Sequence, residues 1–411
     1  MKVALLSYLF DRLSGGGAPR SAYFLAKGLV AAGVDVTVIT THDGADDVVE
    51  DRGLRIHRLH PRNLYWVGTQ DDRGTLQKAA WQLVDFWNPF VYRATLGILR
   101  REAPQIVHVQ KLRGLSPSVW RAARQADGAA LVQTCRDYEL FSPQAMLDGR
   151  VGRMAGQGSP LLAPYRMARA RMSAQVDAAV TPSRFTMEML LERGFFPNAS
   201  HTVIPNTPGF TDAELRALAN RSARPSGETG LRVLYLGRLE EIKGVGDICE
   251  VVGELSKTRT QIHLDVIGGG SAAPRLKSRF GASPRIRFHG VLHGQAKERL
   301  IAAASVVAVP SRWPEVFGNV IPEAYSFGKP VIGARTGGIP ELIDEGRTGF
   351  LFEPGDKEEM QLHLEAFLRD PDLSARLRPA CLKAARRFTI DATAAAHLSL
   401  YQRLLTRACS R

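Results

Sequence analysis

The sequence predicts an α/β protein of two successive domains, each a doubly wound parallel sheet, facing one another across a cleft. Three observations carry that expectation. The chain has 411 residues, more than the roughly 250–300 at which one hydrophobic core stops growing. Short buried strands alternate with amphipathic helices, and many of the 38 glycines fall where a strand hands over to a helix. The alternation breaks at a polar stretch and then begins again. This places domains at 1–205 and 231–389, a linker at 206–230 and a C-terminal helix within 390–411.

The first half opens with a buried strand, Lys2–Ser7, and a glycine-rich loop, Leu13–Ala18. Pro19 suits a helix start, because the N–H it lacks is one that the first turn leaves unpaired. The helix carries Ala22, Leu25, Ala26 and Leu29 on one face, ends near Gly33, and is followed by the strand Val34–Thr40. That is a βαβ unit, which requires parallel strands. Further strands are expected at Ile106–Val109, Ala129–Thr134, Ala178–Thr181 and Thr202–Ile204. After the polar stretch containing Ala223-Arg-Pro-Ser-Gly-Glu-Thr-Gly230, the pattern restarts. Strands are expected at Leu231–Leu236, Ile262–Ile267, Ile286–His289, Ser305–Val309 and Pro330–Gly333, with a helix over Gly244–Ser256. Ligands of such sheets sit at the carboxyl ends of the strands.

Composition narrows the function classes. Hydrophobic residues make up 45% and charged residues 23% of the chain, the balance of a globular protein with enough apolar side chains for two cores. Cys135, Cys249, Cys381 and Cys409 show no metal or redox spacing and read as small buried residues, which favours a reducing, cytoplasmic setting. Val3–Leu6 is followed within a few residues by Asp11 and Arg12, unlike a signal peptide, and no apolar run is long enough to span a bilayer. The net charge of +13 is shared between the halves and is dense where Arg93, Arg100, Arg101, Lys111, Arg113, Arg121 and Arg124 face only Glu102. Two readings of it compete: a solvated surface, or attraction to an anionic membrane or phosphorylated acceptor. Nucleic acid is not expected as a partner, since no RNP-type aromatic sheet or zinc finger accompanies the charge.

The most informative stretch is Val309-Pro-Ser-Arg-Trp-Pro-Glu-Val-Phe-Gly-Asn-Val-Ile-Pro-Glu-Ala-Tyr325. A buried strand ends at Pro310-Ser311, an irregular loop carries Glu315, and a helix begins near Pro322 with Glu323 in its first turn. Backbone N–H groups around Phe317 to Asn319 suit oxyanions. Carboxylates only accept hydrogen bonds, each from several donors, which suits the vicinal hydroxyls of a sugar. The plainer reading of Glu323 is that it offsets the helix dipole.

With Gly237-Arg-Leu-Glu-Glu-Ile-Lys-Gly244 upstream and Gly333-Ala-Arg-Thr-Gly-Gly-Ile-Pro-Glu341 downstream, this stretch resembles glycosyltransferase family 4. The resemblance continues through Glu345–Asp356 and, in the first half, through Gly15-Gly-Gly17, Ile106-Val-His-Val109 and Thr181-Pro-Ser183. It implies the GT-B fold of two Rossmann-like domains, a C-terminal helix crossing back to the N-terminal domain, and retaining transfer from a nucleotide-diphosphate sugar without a metal or other cofactor. It assigns ribose binding to Glu323 and the hydroxyls of the transferred sugar to Glu315, with Phe317, Gly318 and Asn319 lining that site. Arg238 and Lys243 match the basic pair that neutralises the diphosphate; solvated loop charge is the plainer alternative. Gly16 and Gly17 are implied as donor contacts, although the glutamate usual after these glycines is Pro19 here.

Two positions stay open at this level. Many relatives place a histidine where this chain has Arg136, within Gln133-Thr-Cys-Arg-Asp-Tyr138. Its guanidinium suits a phosphate or carboxylate on a ligand, or an ion pair with Asp137 or Glu139. His108, at the end of its strand, is either packing or a site-lining contact. His289 and His293 lack a third ligand, and Asp370-Pro-Asp372 reads as a helix N-cap instead of a metal motif. Trp66, Trp81, Phe86, Trp87 and Phe90 are core residues by default; interleaved with arginines, they also suit a lipid-linked acceptor or a bilayer surface. The alternatives to a transferase are a nucleotide-sugar epimerase or hydrolase of the same fold, or a catalytically inactive nucleotide-sugar-binding partner of an assembly complex.

Overall fold

The computed structural model describes residues 1–10, 17–69, 73–126, 128–143, 145, 147, 154, 156, 158–221, 230–259 and 261–409. The chain forms two compact units: Met1–Pro205 together with Ile390–Arg411, and Asn206–Thr389.

The first unit is built on an eight-stranded sheet, in the order β3-β4-β2-β1-β5-β6-β7-β8. At its centre β1 (Lys2–Leu6) lies parallel to both β2 (Asp35–Thr41) and β5 (Ile106–Val109). The helix Gly17–Ala31 buries Ala22, Leu25, Ala26 and Leu29 as its spacing requires. It starts before Pro19, which sits inside the first turn, where its missing N–H costs no bond. Beyond β5 the parallel ladder continues through β6 (Ala130–Thr134), β7 (Ala178–Thr181) and β8 (Ser200–Val203).

One edge was not anticipated. Strands β3 (Asp47–Asp51) and β4 (Leu54–Leu59) form an antiparallel hairpin closed by Arg52 and Gly53, with φ of 50° and 81°. Positive φ at both turn residues is the geometry that matches the twist of a hairpin. The exposed Asp47, Glu50 and Asp51 keep this edge from pairing with another strand. The C-terminal helix, Ile390–Cys409, also belongs to this unit and seats Leu400, Tyr401 and Leu404 in its core.

The second unit has six parallel strands in the order β11-β10-β9-β12-β13-β14. Relabelled by position in the chain this is 3-2-1-4-5-6, so the order reverses between β9 (Leu231–Leu236) and β12 (Val306–Val309). Loops leaving those two adjacent strands border the crevice where ligands bind in such sheets. The outer strands are β10 (Ile262–Ile267), β11 (Ile286–Gly290), β13 (Val331–Ala334) and β14 (Gly349–Phe352). Residues 206–221 are not a plain linker, because they contain the helix Asp212–Arg221, whose Leu215 is buried in this unit's core. Thr211 and Glu214 cap that helix reciprocally: the Thr211 N–H donates to Glu214 Oε2 at 2.8 Å and the Glu214 N–H to Thr211 Oγ1 at 3.2 Å.

Candidate active site

The loop after β9 is pinned at each end by backbone geometry. Gly237 N–H donates to Ile267 O at 3.0 Å and Leu239 N–H to Gly269 O at 2.8 Å, which ties the loop to the end of β10. Tyr235 donates its hydroxyl to Arg238 O at 2.7 Å. A short 3-10 turn, Glu241–Lys243, then ends at Gly244, whose φ is +65°. A Cβ at that position would lie 1.7 Å from Pro310 O, so only glycine lets this loop press against the loop after β12. The Arg312 N–H completes the contact by donating to Ile242 O at 2.9 Å.

Across this junction Lys243 Nζ donates to Glu315 Oε1 at 2.7 Å. Ser311 Oγ donates to the same oxygen at 3.1 Å, and the ammonium lies 5.5 Å from the centre of the Trp313 ring. The backbone of Glu315 is held from the next loop, since its carbonyl accepts from Gly338 N–H at 2.6 Å. A Cβ on Gly337 would come within 2.2 Å of that carbonyl oxygen. Burial and the neighbouring Glu315 carboxylate both push the Tyr235 hydroxyl pKa up, so it remains a hydrogen-bond donor.

Arg238 stands on the same loop as Lys243, more than half exposed and bonded to Glu240 at 2.7 Å. Glu323 is in the first turn of the helix Val320–Ser326, almost fully buried, and accepts a bond from Lys297. Asn319 Oδ1 accepts from Asn206 Nδ2 at 3.0 Å. Gly318 has a φ of +94°. The Phe317 side chain does not line a site: it is 3% exposed and packs edge-on against Phe388 at 6.0 Å, leaving only its backbone available to a ligand. The β9 and β12 loops thus join Lys243 and Glu315 directly, with Arg238 nearby in sequence and Glu323 held by a separate partner.

Sequence reasoning did not single out Lys297, Ser311, Trp313 or Asn206. Ser311 and Trp313 were within reach, standing inside the stretch around Glu315. Nothing marked Lys297, one lysine on the helix Gly294–Ala303.

In the first unit, Gly15 and Gly16 lie outside the described residues, and Gly17 opens the helix Gly17–Ala31. His108 is fully buried and shares hydrogen bonds at 2.6 Å with Tyr401 Oη through Nδ1 and with Thr134 Oγ1 through Nε2. It therefore packs the C-terminal helix against the sheet and cannot line a site, and burial holds its pKa well below the usual histidine range. Arg136 donates to Gln110 Oε1, while Asp137 is taken by Lys111 and Glu139 accepts from the N–H groups of Leu112 and Arg113 at 2.8 and 2.9 Å. Burial lowers the Arg136 pKa to about 10, which leaves it charged at neutral pH.

His289 Nε2 is 2.6 Å from Asp265 Oδ1, and among the described residues no group of three His, Cys, Asp or Glu side chains is placed to hold an ion. Asp370 binds Arg376, and Asp372 occupies the N-cap position without a side-chain capping bond, so the N-cap reading holds for position only.

Two family profiles match the chain in succession. One, described as "Glycosyl transferase 4-like domain", covers residues 16–207, and the other, "Glycosyl transferases group 1", covers 230–370. The chain is 27% identical over 343 residues to an uncharacterized 42.6 kDa protein in the cps region of Klebsiella pneumoniae, covering 83% of this chain and 87% of that one. It is 30% identical over 308 residues to a D-inositol 3-phosphate glycosyltransferase of Streptomyces avermitilis, covering 64% and 65%. Among solved structures, the sucrose-phosphate synthase of Thermosynechococcus elongatus superposes with a TM-score of 0.74 at 22% identity over 99% of both chains. Anabaena HepE in complex with UDP and glucose gives 0.68 at 19%, over 98% of this chain and 99% of that one. With both halves matched and two Rossmann-like sheets in place, the chain belongs to glycosyltransferase family 4 and has the GT-B fold.

Proposed function

We propose that this glycosyltransferase moves a sugar from a nucleotide-diphosphate donor, of the UDP or GDP type, to a hydroxyl of a glycan, lipid-linked or small-molecule acceptor. Transfer retains the anomeric configuration and needs no metal. The observation that carries this reading is the partly buried Lys243–Glu315 pair on adjacent loops at the point where the strand order reverses. As the bond between the anomeric carbon and the phosphate oxygen breaks, negative charge grows on the diphosphate. Lys243, with Arg238 swinging from Glu240, supplies fixed positive charge there, the role a metal fills in other transferases. Glu315 accepts from hydroxyls of the sugar, and Glu323 from those of the ribose. The acceptor oxygen bonds to the anomeric carbon on the face the phosphate leaves, and its proton passes to the departing phosphate oxygen. That route requires no covalent nucleophile. The UDP and glucose in the HepE structure support the donor class, and the D-inositol 3-phosphate in the name of the Streptomyces relative supports a small-molecule acceptor.

The setting we infer is polysaccharide or glycoconjugate biosynthesis in the cytoplasm, with peripheral attachment to the membrane face. Among the described residues no helix is long and apolar enough to cross a membrane.

The test begins with a panel of nucleotide sugars screened by thermal stabilisation. The stabilising donor is then incubated with and without candidate acceptors, and with a chelator. We expect acceptor-dependent product of retained configuration, unchanged by the chelator. Product without acceptor would assign an epimerase or hydrolase, and binding without turnover an inactive partner.

A further inference from the structure

The helix Thr75–Phe86 turns its apolar face toward solvent. Leu76 is 86% exposed and Leu83 79%, Ala79 is exposed between them, and Trp87 just beyond is 45% exposed. Positions 76, 79 and 83 form one stripe at helical spacing, and Trp87 follows at the extended residue that ends the helix. The inward face carries Trp81, which stacks on Tyr65 and donates its indole N–H to Tyr65 O at 2.9 Å, together with the buried Asp85. Neighbouring elements add further exposed apolar side chains. The next helix, Pro89–Glu102, exposes Phe90 at its start, and the loop before Tyr65 adds Leu64, 60% exposed. Asn63 Nδ2 anchors that loop to Trp81 O at 3.3 Å, and the Arg62 guanidinium lies 5.5 Å from the centre of the Phe90 ring. Large apolar side chains left in water in such number over one short segment mark an interaction surface.

Charge selects the occupant. Residues 60–101 include Arg62, Arg73, Lys78, Arg93, Arg100 and Arg101 against Asp71, Asp72 and Asp85, and Asp85 faces inward. Arg62 over Phe90 sets a guanidinium group at the patch, and the exposed Lys78 lies within the same helix turn as Leu76 and Ala79, whereas Arg73 lies over Tyr65 on the inward side. A second copy of a chain with net charge +13 would bring cations against cations, whereas anionic headgroups would neutralise them. Exposed leucines with a tryptophan, beside lysine and arginine, are the composition of a helix lying in a bilayer interface.

We propose that this face rests on an anionic lipid bilayer, with Leu64, Leu76, Leu83, Trp87 and Phe90 at the boundary between headgroups and acyl chains. Arg62, Lys78 and Arg93 meet the headgroups. The proposal deepens the membrane attachment inferred above and rests on that reading, but its test needs no sugar transfer, so the two can fail separately.

The full-length protein is sedimented with vesicles of phosphatidylcholine alone and of phosphatidylcholine mixed with phosphatidylglycerol. Binding is expected to the mixed vesicles at low salt, declining as salt rises. Leu76→Gln with Leu83→Gln should weaken it by roughly tenfold or more while thermal stability is kept. Lys78→Glu with Arg93→Glu should abolish the preference for the anionic lipid. As a check independent of those variants, brominated lipid should quench wild-type fluorescence more than that of Trp87→Phe. The proposal is overturned if the wild type fails to bind mixed vesicles at low salt, or if the folded leucine variant binds as well as wild type. A dimer that dissociates in the leucine variant would assign the face to a second copy instead.

Discussion

Lys243 Nζ lies 2.7 Å from Glu315 Oε1 across 72 positions of sequence, with both side chains less than a fifth exposed. Each charge makes the other's burial tolerable, so removing the cation leaves a partly buried carboxylate without its partner. In the proposed reaction the ammonium also meets the leaving diphosphate. Lys243→Ala then loses a charge-assisted contact of about 1.5–3 kcal/mol, roughly a tenfold to more than hundredfold fall in transfer efficiency. The melting temperature should fall as well. Steady-state kinetics with the donor found by screening decide the matter: unchanged kcat/KM in a folded variant removes Lys243 from the site.

A second lysine governs the other carboxylate. Lys297 binds Glu323, and both side chains are more than four-fifths buried. If Glu323 accepts from the ribose, Lys297 is a positioning residue that keeps the carboxylate aimed. Lys297→Met should raise donor KM several-fold with a smaller change in kcat. It should also shrink the preference for a ribonucleotide over its 2′,3′-dideoxy analogue, because the discriminating acceptor is no longer fixed. A purely structural role would lower stability and leave that preference intact, so competition binding of the two nucleotides separates the cases.

Much of the second unit was legible in the sequence: β12 and β13 are short, continuous apolar runs, as buried parallel strands are, and β9, β10 and β11 keep apolar residues at their buried positions between Arg232, His263, Asp265 and Arg287. Lys243 and Glu315 were legible as members of loops after such strands. What the sequence hid falls into two kinds. Some signals were present but unweighed: Thr211-Asp-Ala-Glu214 is a capping box inside a stretch read as linker, and Arg52-Gly53 is a hairpin turn between charged strands. Other facts exist only in three dimensions. His108 alternated between packing and lining until Tyr401, 293 positions away, appeared against its ring. Likewise, the apolar stripe of the helix Thr75–Phe86 has ordinary core spacing, and only its solvent exposure distinguishes it.

The return of the C-terminal helix to the first unit depends on Gly28. A Cβ there would stand 2.8 Å from both Ala394 Cβ and Ile390 Cγ2, and 3.2 Å from Ile390 O. Alanine would gain up to about 1 kcal/mol in helix propensity. Against that, neither neighbour is the far end of a flexible chain, and overpacking such a contact costs about 1–3 kcal/mol. The net effect of Gly28→Ala should be destabilising, and that of Gly28→Leu much more so. Limited proteolysis checks the location of the damage: cleavage within 390–409 should rise before cleavage elsewhere. A variant as stable as wild type would show that the two helices separate at little cost.

Asp85 offers a pH dependence of defined sign. It is 2% exposed on the helix Thr75–Phe86, and its Oδ1 accepts from Gly114 N–H at 3.0 Å. Burial lifts its pKa to about 7, against the pull of Arg169, the Gly114 N–H and Arg113, and with a small push from Glu139. Below about pH 4 the group is protonated in both folded and unfolded chains, and its contribution to stability is fully present. As pH rises toward 7 the unfolded chain ionises while the folded one resists, so stability is lost at up to about 1.4 kcal/mol per pH unit. Asp85→Asn keeps an oxygen for Gly114 and has no proton to lose. Its stability relative to wild type should therefore climb between about pH 4 and pH 7 and level off above. Other titrating groups, the buried His108 and His397 among them, are common to both proteins and cancel in that difference. Denaturant melts at several pH values measure it, and parallel curves would mean that Arg169 keeps the carboxylate ionised throughout.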